Sequence, residues 1–97
     1  MLINTQKISG TIAAGAFSGN TAGIRGIVKQ IIIEPVSEAN VYNYSVVNDL
    51  NSIVQERTSE TGCESELTDI PVNGVYTVNI TEATIDEAII IYIITQE

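Results

Sequence analysis

A chain of 97 residues sets an expectation of one domain with a small core. Twelve acidic residues against four basic ones give a formal charge of −8, and Lys7, Arg25, Lys29 and Arg57 are scattered. Such a balance excludes a phosphate-binding surface for nucleic acid and attachment to an anionic membrane. Histidine is absent and Cys63 is the lone cysteine, which excludes the commonest general base, any intrachain disulfide and a CxxC metal site.

The hydrophobic fraction of 44% and a mean hydropathy of +0.22 exclude simple disorder, and the dominance of Ile over helix formers favours strands. With a single cysteine, synthesis in a reducing compartment is expected, and the start, Met1 to Lys7, reads as no secretory leader, lacking its basic region and long apolar run. Residues 1–22 are rich in Gly and Ala, with Ile8, Ile12 and Phe17 as large apolar side chains. They read as a weak first strand or an N-terminal arm, followed by a sandwich domain over residues 23–97.

Ile24 to Glu34 predicts a strong strand, with Ile27, Ile31 and Ile33 on one face and Val28, Gln30 and Ile32 on the other. Pro35 ends its pairing. Val41 to Val47 alternates, Tyr42, Tyr44 and Val46 against Asn43 and Ser45, and forms a hairpin with Ile53 to Arg57 across Asn48-Asp49. Thr58 to Glu66 reads as an exposed acidic loop, and Leu67 to Val72 as an edge piece limited by Pro71. Val75 to Ile80 sets Tyr76, Val78 and Ile80 on one side. Ala88 to Thr95 closes the chain, with Ile90 and Tyr92 expected inward and Ile89, Ile91 and Ile93 expected on the opposite face as an exposed interface. Its apolar run is too short to cross a bilayer. Roughly six to eight short strands predict an all-β fold, a small antiparallel β-sandwich, jelly-roll-like.

Each chemical reading of these residues has a plainer competitor. The carboxylates Glu56, Glu60, Glu64, Glu66 and Asp69 suit calcium, yet lack the spacing of a calcium loop and read better as a solvated segment. A carboxylate pair for glycoside cleavage lacks aromatic platforms beside it. The glycines from Gly10 to Gly26 lack the Lys-Ser/Thr ending of a phosphate loop. The sequons at Asn43 and Asn79 fall inside strands. Glutamates around Cys63 disfavour its thiolate. The four tyrosines could form a sugar platform, but their alternation suits core packing. Without histidine no familiar nucleophile–base pair assembles. No catalytic, cofactor-binding or metal-ligating residue is therefore nominated, and a non-enzymatic module is expected.

The run Arg25-Gly26-Ile27-Val28-Lys29-Gln30-Ile31-Ile32-Ile33-Glu34-Pro35, then Tyr42 to Val47, Gly74-Val75-Tyr76-Thr77-Val78-Asn79-Ile80 and Ile89 to Ile94, resembles small virion structural proteins of tailed bacteriophages. Capsid decoration (cement) proteins are the nearest in size and acidity. The resemblance implies a homo-oligomer, a trimer by analogy, bound to the major capsid protein on the outer capsid surface and made in the host cytoplasm. It carries no catalytic or ligand residues. A small head–tail or tail component and a carbohydrate- or receptor-binding sandwich are the alternatives.

Overall fold

The computed structural model describes residues 2–97 and contains eight strands and no helix among them. They are β1 (Ile3–Thr11), β2 (Phe17–Asn20), β3 (Ile24–Pro35), β4 (Val41–Val47), β5 (Ile53–Thr61), β6 (Glu64–Gly74), β7 (Thr77–Thr81) and β8 (Ala88–Gln96). Two four-stranded antiparallel sheets, β1-β8-β3-β6 and β2-β7-β4-β5, pack face to face. Most connections pass from one sheet to the other, the winding of a jelly roll.

The segment 1–22 offered two readings, arm or strand; among its described residues Ile3–Thr11 and Phe17–Asn20 are strands. β1 pairs with β8 from Ile3↔Gln96 to Thr11↔Ala88, and β2 pairs with β7. Ile8 and Ile12 are buried in the core. The reversal between β1 and β2 uses Ala14 and Gly15, both at positive φ, and the Asp86 carboxylate accepts both their N–H groups at 2.9 Å.

The expected acidic loop is instead the end of β5, a short turn and the start of β6, two strands that belong to different sheets. β5 and β6 run nearly to Gly62, whose positive φ and close approach to Glu38 suit only glycine. The segment is polar because it forms sheet margins, with β5 and β6 each at a free edge. Pro71 sits on such an edge, where a missing N–H is tolerated.

Two expected phases are corrected. In β3 a bulge between Val28 and Gln30 shifts the register against both neighbours. Ile24 and Val28 point inward before it and Ile31 and Ile33 after it, which turns Ile27 outward at 38% exposure. The Thr68 hydroxyl donates to the Val28 carbonyl at 2.6 Å beside the bulge. In β8 the inward residues are Ile89, Ile91 and Ile93, at 1%, 0% and 1% exposure, while Ile90 and Tyr92 lie on the outer face. An all-apolar strand has no phase of its own. Its pairing opposite Ile8, Ile31 and Ile33 sets it. The core is completed by Tyr42, Tyr44, Val46, Val72, Tyr76, Val78 and Ile80.

Candidate functional site

The outer face of the first sheet is the most distinctive surface of the molecule. Register places its residues in rows across β1, β8, β3 and β6: Ile3, Gln96, Ile27 and Pro71; then Thr5, Ile94, Gln30 and Leu67; then Lys7, Tyr92, Ile32 and Ser65. Ile90 and Glu34 continue the central strands. Ile32, Ile90, Tyr92 and Ile94 are half-buried against one another, while Ile3, Ile27 and Leu67 are exposed at 60%, 38% and 80%. β8 is buried on its inner side and apolar on its outer side through Ile90, Tyr92 and Ile94, with Ile32 of β3 beside them, the pattern of a strand that is covered on both faces.

Charge is arranged around this stripe. Arg25 pairs with Glu97 at 3.1 Å, and Lys29 pairs with Asp69 across the bulge. Lys7 and Glu34 flank the stripe with no ion-pair partner among the described residues. The remaining nine carboxylates stand against Arg57 alone, so the formal charge of −8 resides elsewhere on the molecule. The outer face of the second sheet is different in kind. Ser18, Asn43, Ser45, Thr77 and Asn79 cover it, with hydrogen bonds such as Ser18 Oγ to Asn79 Oδ1 at 2.9 Å. A shallow depression of about 400 Å³ lies there, between Ser18, Ser45, Asn79 and Thr81.

The carboxylates weighed against calcium binding divide between surfaces. Glu56 and Asp69 are exposed on strands of different sheets. Glu60, Glu64 and Glu66 gather between β5 and β6, where Arg57 Nε donates to Glu66 Oε1 at 3.1 Å. Burial, then the charges of Glu64 and Glu66, push the Glu60 carboxyl above its usual range. Beneath them the Tyr42 hydroxyl donates to the Gly62 carbonyl at 2.7 Å, and burial raises both Tyr42 and Tyr44. Among the described residues no three carboxylate or thiol groups are placed to hold a metal ion. Cys63 is exposed in the turn between β5 and β6, and its thiol is pushed up mainly by a hydrogen bond with Glu38. Tyr42, Tyr44 and Tyr76 are core residues, which leaves Tyr92 alone on an outer face and provides no aromatic row for a sugar. Asn43 and Asn79, the sequon residues, hydrogen-bond within the second sheet.

The residues nominated as an interface, Ile89, Ile91 and Ile93, are thus core, and the face lies on the opposite side of the same strand. Ile32, Ile94 and Leu67 were not nominated. The signal for Ile32 was its parity with Gln30 and Glu34, since a strand face carrying two polar residues points outward.

No family model matches the chain, and no curated protein does. Among solved structures it is similar to the crystal structure of PirA, with a TM-score of 0.55 and 11% identity over 90% of this chain and 92% of that one. It is also similar to a chain of infectious bursal disease virus, Gt strain, at TM-score 0.44 and 9% identity. A chain of the Gx strain gives 0.40 and 9%. This chain spans 32% of the length of each of those two virus chains. At 11% identity the similarity to PirA speaks to the fold alone.

Proposed function

We propose that this chain is a non-enzymatic virion structural protein, a capsid decoration protein that binds the major capsid protein lattice on the outer surface of the particle. The observation that carries this reading is the partition of its surface. One sheet face is apolar and charge-balanced, and the rest is strongly acidic. An apolar face of this kind marks an assembly surface, and the acidic remainder suits a basic lattice. Among its carboxylates, Glu66 is ion-paired with Arg57, and Asp86 and Glu87 anchor loops. The jelly-roll winding is a frame that viral capsid domains and lectins share, so fold alone does not choose between them. The burial of three tyrosines favours the structural reading over a lectin-like one. Co-sedimentation with bacteriophage capsids stripped of decoration tests it. Saturable binding that weakens as salt rises is the expected result. Absence of binding at every salt concentration would overturn the proposal.

A further inference from the structure

The apolar face needs a cover, and the surface chemistry narrows what it is. We propose that a second copy of this chain occupies it, the two first sheets packing face to face about a two-fold axis. This rests on the reading of the chain as an assembly component and names the first partner of that face.

Three observations support a second copy. The first is charge. A copy of a chain carrying −8 is repelled almost everywhere, but on this face Arg25 and Lys29 are already neutralised by Glu97 and Asp69. The unpaired charges left are one of each sign, Lys7 and Glu34, which a second copy can answer and a uniformly basic partner cannot. Of the other carboxylates, Glu56 and Glu60 belong to the second sheet, about 10 Å behind the face, and Glu64 and Glu66 point inward from β6, away from it.

The second is area. Four strands about 4.8 Å apart and about nine residues long span about 19 by 30 Å. Covering that face on two copies removes about 1,100 Å² before side-chain relief is counted, near the lower limit of specific interfaces. The third is symmetry. A single contiguous patch that is its own complement makes an isologous contact, which closes at two copies. A trimer requires two different complementary patches on each copy. The outer face of the second sheet, lined by Ser18, Ser45 and Asn79, offers no apolar counterpart.

Sedimentation velocity of the full chain, from micromolar concentration to about 1 mM, tests the inference. The expected result is a concentration-dependent species of twice the 10.4 kDa chain mass. Leu67→Glu, at a fully solvated position, and Tyr92→Glu should each weaken dimerisation at least tenfold, with circular dichroism unchanged. Ser45→Glu on the other sheet should leave it unaltered. If Tyr92→Glu fails to fold, Leu67→Glu decides. A monomer throughout the range, a trimer, or dimers indifferent to both substitutions would overturn the inference. Capsid co-sedimentation separates this failure from that of the functional reading. A monomer that binds capsids refutes the dimer alone, and a dimer that ignores capsids refutes the virion role alone.

Discussion

Gly26 shows how much a single backbone position carries. Its φ is 108°, and a Cβ there would run into the Gln96 carbonyl of the neighbouring strand. Gly26→Ala should therefore cost about 2 kcal/mol or more in urea unfolding, from strain and lost pairing together. Gly23, three residues away, has nothing within 4 Å of its virtual Cβ. Gly23→Ala should stay within about 0.5 kcal/mol of the parent. Asn40 is the polar counterpart. It is fully buried, donates to the Ile85 carbonyl and to Glu87 Oε2, both at 2.9 Å, and accepts from the Ile85 N–H at 3.3 Å. Asn40→Ala should cost about 2–3 kcal/mol, because it strands those groups. Glu87 also accepts from the Ser37 hydroxyl at 2.6 Å, and that bond, with those from Asn40 and the Ser37 N–H, holds its carboxyl below the usual range. The linkage sign follows from a depressed folded pKa. The stabilisation is complete above the unfolded carboxyl pKa and is lost as pH falls through the lower folded one. Acid titration of unfolding midpoints should show this loss in the parent and not in Glu87→Gln.

At the scale of the element, β8 decides between two assignments of the same strand. Ile91 is fully buried between Ile8 and Ile33, and Ile91→Ala should cost about 3–4 kcal/mol, measured by urea unfolding. Ile90→Ala, on the outer face, should cost about 1 kcal/mol or less in the monomer. Equal costs at the two positions would contradict the register. The contrast also shows what the sequence could reveal. Val41–Val47 and Thr77–Thr81 alternate apolar with polar residues, so their inward faces were legible, and Tyr42, Tyr44, Val46, Val78 and Ile80 are core. In β8 the alternation is apolar against apolar, and only the partners across the sheet set its phase. In β3 the phase changes at a bulge that no local pattern marks. The strand character of Thr58–Glu66 was hidden because its inward residues, Glu60, Glu64 and Glu66, are as polar as its outward ones. Consequently the all-β sandwich could be read from composition and spacing, and the apolar outer face of the first sheet could not, since its position depends on the phases of β3 and β8.

For the whole molecule, the margin where the edge strands β5 and β6 approach sets how the two sheets hold together across pH. Glu60 points inward from one sheet, opposite Tyr42, while Glu64 and Glu66 point inward from the other, opposite Ile33 and Ile31. Arg57 is the one cation among them and is engaged by Glu66. Three carboxylates with one guanidinium leave an excess of negative charge where the sheets approach, and this is why burial and like charge raise the Glu60 pKa. The sign is opposite to that of Glu87. A carboxyl whose folded pKa is raised binds its proton more tightly in the native state, so native stability falls as pH rises from the unfolded pKa through the raised folded one. Lowering the pH thus weakens the loop anchored by Glu87 while relieving the margin around Glu60. Replacing Glu60 with Gln removes the repulsion and supplies an amide that can donate to Glu64. Glu60→Gln should therefore raise the thermal midpoint at neutral pH, and the gain should shrink as pH falls below the range where Glu60 is ionised. It should also shrink in high salt, which screens the same repulsion. A midpoint lowered at neutral pH, or a gain that persists unchanged into acid, would show that the Glu60 carboxylate holds the sheets together instead of forcing them apart.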